Sequence, residues 1–198
     1  MTALLSTDLD QAREYFEHVR SRVIEVTKGL SDAQWKFKPA PDRWSIAENL
    51  EHLVIVQERV LGPIREQLAQ APPPPAGTDY RHIDAIVLEK IPDRSVKAKA
   101  PSVIEPTGEW VLAPTLERLS RNYERLAAFV ESTPDLRQHV LESPPLKIVT
   151  NGELTMMDGY QWALTVAAHD ERHVRQILEV KADANYPRGG SVGAGGVA

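Results

Sequence analysis

This sequence predicts an all-α fold, a four-helix bundle with a long, partly irregular connection between its second and third helices. Three observations lead there. Four long segments space their apolar residues three and four apart, the period that gives a helix one buried stripe. No long segment alternates apolar and polar residues with the period of two that a half-buried strand needs. Residues 71–112 lose the helical period, beginning with Pro72 to Pro75, where four missing backbone donors forbid a helix interior.

The first long helix is expected from Thr7 to Gly29. Ser6, Thr7 and Asp8 offer caps, Gly29 offers a stop, and Tyr15, Phe16, Val19, Val23 and Val26 form the stripe. A proline-punctuated link follows, with one short turn that Ser31 or Asp32 can cap before Pro39 and Pro41. The second helix opens at Ser45, with Glu48 three residues on in a capping-box pattern. Its stripe is Ile46, Leu50, Leu53, Val54, Leu61, Ile64 and Leu68, and Pro63 predicts a kink.

In the long connection a short helix is expected from Asp79 to Lys90, then an extended loop lying over the bundle. The third helix is placed at Pro114 to Thr133, and the fourth at Thr155 to Ala182. Residues 1–186 form a single domain, and 187–198 a glycine-rich tail expected to be mobile. Up-down-down-up and up-down-up-down orders both fit this pattern.

Composition narrows the function classes. With 198 residues, 42% apolar and 26% charged, the chain suits one domain with a real core. Its net charge of -5 and lack of a basic stripe argue against nucleic acid. The longest aliphatic run, Leu53 to Val56, is far too short to span a membrane, and the N-terminus does not read as a signal peptide. There is no cysteine, which removes disulfides, thiolate ligands and a cysteine nucleophile and fits a cytoplasmic protein.

Three histidines carry the functional signal. His169 and His173 stand four apart on one helix, so their rings can converge. At 100° per residue, Trp162, Val166, Gln176, Ile177 and Val180 lie within about 80° of His169, the face that should be buried. The pair fits a metal site, and it also fits two core histidines satisfied by hydrogen bonds. His52, on the second helix, would complete a three-nitrogen set that leaves a coordination position for water or substrate. By periodicity alone it lies off the main stripe, beside Ser45, Ile55, Val56 and Arg59, where a half-exposed surface histidine is equally natural. His18, His82 and His139 have no companion at helical spacing and read as ordinary polar positions.

WSIAENLEHL, followed about 120 residues later by AAHDERHVRQI, resembles the DinB/YfiT-like superfamily. Trp44, His52, His169, His173 and Gln176 match the family pattern of a tryptophan opening the second helix, a histidine eight residues on, and H-x-x-x-H with a following glutamine on the fourth. The stretch around Ile104, Pro106 and Trp110 is also family-like, and the resemblance covers most of residues 8–182. The long 71–112 segment, the tail, and Arg172 in place of a common second histidine are departures.

The resemblance implies a metal-dependent hydrolase, or a transferase or isomerase using a low-molecular-weight thiol. His52, His169 and His173 would hold a divalent ion, zinc or nickel first and iron or copper next, acting on a small-molecule substrate in a homodimer. Such an ion lowers the pKa of a bound water or thiol. Glu48 could orient His52 or act as base, or simply close the capping box. Gln176 could hydrogen-bond a ligand of the metal or pair with backbone. Asp170 is expected on a solvated face, its helical angle pointing away from the pair. The alternative to an enzyme is a metal-binding or stress-response bundle that keeps the histidines as structural ligands.

Overall fold

The computed structural model describes residues 4–96 and 99–188, the side chains of residues 60 and 61 excepted; the expected tail lies, from residue 189 on, outside the described residues. Four long helices form the body: α1 (Ser6–Thr27), α3 (Ile46–Leu68), α5 (Leu112–Ser132) and α7 (Gly159–Lys181). Between them lie α2 (Asp32–Lys36), α4 (His82–Lys90) and α6 (Pro144–Val149), with single 3-10 turns at Ser102–Ile104 and Leu136–Gln138.

The start and stop signals act as their chemistry requires. Ser45 accepts the Glu48 amide at 3.1 Å while Glu48 accepts the Ser45 amide at 2.7 Å, so two orphan donors at the start of α3 are satisfied reciprocally. Ser31 and Gln34 form the same box on α2. Just beyond α1, Gly29 has φ of 69°, a left-handed conformation in which a side chain would be strained. Pro63 is absorbed within α3, which continues unbroken to Leu68 with Gly62 and Pro63 facing solvent.

The helices pack as a ring in which α1 and α3 each contact α5 and α7. Long-range contacts set their directions. Arg13 near the start of α1 meets Glu131 at the end of α5, so these two run antiparallel. Tyr160 donates to the Asp8 carbonyl and Lys181 to that of Val26, so α1 and α7 run parallel. His52 lies by His169 and Gly159 packs on Leu68, so α3 and α7 are antiparallel. Arg118 pairs with Glu58 and Phe129 lies under Arg65, so α3 and α5 are parallel. The order is therefore up-down-down-up, with sequence neighbours α1 and α3 across a diagonal. The stripes read from sequence line the centre: Phe16, Val19 and Val23; Ile46, Leu50, Leu53 and Val54; Leu119, Tyr123 and Leu126; Val166, Ile177 and Val180 are buried.

One expectation is corrected between α5 and α7. The fourth helix begins at Gly159, not Thr155, because residues 156–158 form a strand. β1 (Val140–Glu142) and β2 (Met156–Asp158) pair antiparallel, with Val140 opposite Asp158, Leu141 opposite Met157 and Glu142 opposite Met156. Asp158 then caps α7, accepting the Gln161 amide at 2.8 Å while Gln161 accepts its own at 3.0 Å. A Cβ at Gly159 would lie 2.7–2.9 Å from Leu136 and Leu68, so only glycine lets this first turn pack so closely.

That end of the bundle is tied by one buried cation. The Arg137 guanidinium reaches Asp8 at 3.0 Å, Asp84 at 2.6 Å and Asp158 at 3.0 Å, and lies 4.1 Å from the Tyr160 ring centroid. Arg81 supplies a second cation to Asp8 at 2.9 Å.

Candidate metal centre

The site sits toward the other end, where the first half of α3 faces the second half of α7. His52 and His173 are buried, and His169 is about a quarter exposed at its side chain. The Nε2 atom of His169 lies 3.4 Å from that of His52 and 3.2 Å from that of His173. The three possible ligand atoms all fall within 4.8 Å of one another.

Ring orientation follows from the hydrogen bonds behind the rings. Nδ1 of His52 donates to the Ile104 carbonyl at 2.8 Å; a carbonyl can only accept, which fixes the proton on Nδ1. Nδ1 of His173 donates to Oδ1 of Asn49 at 2.8 Å, and Asn49 is oriented for this by donating its own Nδ2 to the Ser45 carbonyl at 2.8 Å. In both rings the Nε2 lone pair is left facing the third histidine. Burial, then the His169 charge, pushes the His52 imidazole down to about 4; burial and the neighbouring histidines push His173 well below its ordinary value. Both rings are therefore neutral near pH 7, the form that ligates metal.

Spacing tests whether these residues fit an ion. With metal–nitrogen bonds of about 2.1 Å, two ligands are roughly 3.0 Å apart at a right angle and roughly 3.4 Å apart at a tetrahedral angle. The observed 3.2 and 3.4 Å lie within that span. Trp44 walls one side, its ring centroid 4.8 Å from that of His52 and 5.9 Å from that of His173.

Asp170 corrects the wheel. It is fully buried, not solvated: its Oδ2 accepts from Tyr123 at 2.7 Å and from Gln57. Its Oδ1 faces Nδ1 of His169 at 3.8 Å, and neither atom has a hydrogen-bond partner among the described residues. The physical reason is that α7 contacts α1, α3, α4 and α5, so 15 of its 23 residues are buried and no single face is the wet one. Glu171 is buried for the same reason and pairs with Arg22.

Glu48 and Gln176 stand apart from the three rings in their contacts. The Glu48 carboxylate accepts the Ser45 amide and Lys38, the latter at 2.7 Å; burial alone would raise its pKa, but the Lys38 and Ser45 contacts outweigh burial and hold it below the ordinary value. Gln176 accepts from Arg94 at 2.8 Å, and Arg94 also clasps Glu179. Arg172 and Arg175 bond backbone carbonyls of residues 92–96, fastening that segment along α7. His18 and His82 are exposed, and His139 bonds the Ala71 carbonyl.

Several site residues carried no readable signal. Asn49 and Glu51 look like incidental polar residues in a helix. In fact Glu51 is buried and accepts both the Thr107 amide and hydroxyl and the Gly108 amide, each at 2.8 Å, which anchors the loop that brings the Ile104 carbonyl to His52. The expected loop over the bundle is thus a working part of the site.

Fold and site together define a class, a four-helix bundle with three imidazoles in metal-ligand arrangement between its second and fourth long helices. The chain belongs to the DinB superfamily, whose family model matches residues 15–177. It is 30% identical over 168 residues to the uncharacterized protein YuaE of Bacillus subtilis (strain 168), covering 84% of this chain and 94% of YuaE. Among solved structures it is similar to YfiT from Bacillus subtilis, described as a probable metal-dependent hydrolase with an unusual four-helix bundle topology. The TM-score is 0.58 at 12% identity, over 94% of this chain and 93% of YfiT. At that identity the likeness is one of fold. No helix among the described residues is long and apolar enough to cross a membrane.

Proposed function

We propose that this protein is a metal-dependent enzyme acting on a small molecule, a hydrolase or a thiol-dependent transferase. One observation carries the reading: three Nε2 atoms converge while the Nδ1 protons of two rings are held by fixed acceptors behind them. A divalent ion held there would lower the pKa of a water or thiol and polarise an electrophile. The chain's own residues orient and exclude. Ile104 and Asn49 keep the tautomers, Trp44 shields the two buried rings, and the part-exposed edge of His169 is the side open to substrate. Glu48 is engaged by its cap and by Lys38, so we give it no base role.

Zinc or nickel suits an all-imidazole set best, with iron or copper next. The YfiT description supports the hydrolase branch by analogy. A cytoplasmic location, a low-molecular-weight thiol as co-substrate and a homodimer belong to the same proposal. Metal analysis of protein purified without a histidine tag tests the first step, with one ion per chain expected. Titrating the cobalt-substituted protein with thiols and small anions tests the second. A spectral shift supports an open coordination position, and an inert spectrum hands the site to the structural reading.

A further inference from the structure

Behind two of the three imidazoles stands a fixed neutral acceptor, the Ile104 carbonyl for His52 and the Asn49 amide oxygen for His173. Behind His169 stands a carboxylate. Oδ1 of Asp170 lies 3.8 Å from Nδ1 of His169, and both are buried atoms with no hydrogen-bond partner among the described residues. Adjacent side chains on a helix do not ordinarily face one another. Here the carboxylate is oriented by its other oxygen. Oδ2 accepts from Tyr123 of α5 at 2.7 Å and from Gln57 of α3, which leaves Oδ1 on the His169 side.

This arrangement selects a tautomer. With the His169 proton on Nε2, the Nδ1 lone pair would stand against a carboxylate oxygen, two buried acceptors face to face. With the proton on Nδ1, the same two atoms are a donor and a charged acceptor, and an approach closer by about 1 Å completes the bond. Asp170 is wholly buried, with no Lys or Arg at salt-bridge distance among the described residues. A buried carboxylate in that position needs positive charge nearby, and the His169 ring is what it faces.

We propose that Asp170 is the positioning residue of His169: its carboxylate accepts the Nδ1 N–H, fixes the ring, and leaves the Nε2 lone pair for a metal ion whose charge it partly offsets. The inference rests on the metal reading of the three imidazoles. It makes His169, the part-exposed ligand, the one backed by charge and so the most electron-rich of the three.

The ring is read first in metal-free protein, at alkaline pH where imidazoles are neutral. A long-range ¹H–¹⁵N spectrum, with His169 assigned by its loss in His169→Gln, should show the Nδ1–H tautomer. Zinc affinity by chelator competition is read next. Asp170→Asn keeps an acceptor oxygen and removes the charge. It should fold, because the free Oε1 of Gln57 can accept from the new amide once the Gln57 side chain turns over. Its zinc affinity should fall by about 10–100-fold, the range for an outer partner of a ligand. A parent protonated at Nε2 of His169 overturns the proposal, and so does a folded Asp170→Asn whose affinity stays within about threefold of the parent. If that variant does not fold, the parent spectrum decides. A parent that takes up no zinc defeats the metal reading, and the spectrum then judges the pairing by itself.

Discussion

The two ends of the bundle each bury a polar cluster joining helices far apart in sequence, and they are finished differently. Around Arg137, three carboxylates meet the guanidinium at 2.6–3.0 Å and an aromatic face covers it. Around His169, three imidazole nitrogens point at one another with no proton of their own to share between the outer two. A closed network of opposite charges is a brace. A set of converging lone pairs is a socket, and costs energy until something fills it. Burial alone therefore does not separate structure from function in this protein; completeness of pairing does.

The comparison breaks most visibly at the brace. Arg137→Met should cost about 3–5 kcal/mol, because Asp8, Asp84 and Asp158 are left close together with only Arg81 nearby. Urea unfolding would measure it, and a loss below 1 kcal/mol would mean that the cluster is not the tie described here. At the socket the effect should fall on the ligand rather than the fold. His173→Ala removes a coordinate bond and should lower metal affinity beyond the roughly 10–100-fold expected for an outer contact such as Asn49→Ala. Chelator competition ranks the two, and equal affinities for parent and His173→Ala would remove that residue from the site.

A smaller effect sharpens the electrostatics of the brace. Burial pushes the Asp158 carboxyl up to about 6, despite the opposing pull of Arg137. A carboxyl whose folded pKa is raised contributes stability that is complete below its unfolded value near 4 and is lost as pH rises through the folded one. The parent should therefore lose on the order of 2 kcal/mol from this group between pH 4 and pH 7. Asp158→Asn, which keeps the helix cap, should flatten that slope. Parallel pH–stability curves for the two proteins would contradict the assignment.

How much of this was legible in the sequence depended on whether the feature was periodic. The stripe on α3, the Ser45–Glu48 box and the His169–His173 pair follow from helical spacing. His52 did not, since its wheel position looked half-exposed; burial comes from the Trp44 ring and the 104–110 loop, neither of which a single-helix wheel contains. Asp170 failed for a related reason, because a wheel assumes one wet face and α7 is covered from nearly every side. The strands of three residues were too short to show alternation, although Asp158 and Gln161 do spell a cap where α7 begins. The Ile104 carbonyl is backbone, so no residue type could announce it.

The smallest expected effect concerns Gln176. Helical spacing puts it on the face of the ligand pair, and the family pattern places a glutamine there, which together suggest a contact to whatever the metal holds. The structure gives its side-chain oxygen to Arg94, which is held in turn by two bonds to Glu179. Gln176→Ala should therefore leave chelator-measured metal affinity within about threefold of the parent, below the range of an outer-shell partner of a ligand. It should instead loosen Arg94 and the 92–96 segment that Arg172 and Arg175 fasten to α7, which amide hydrogen exchange would register as faster exchange there. A large loss of metal affinity with unchanged exchange would place Gln176 in the socket after all, and move the boundary between brace and socket one turn further along α7.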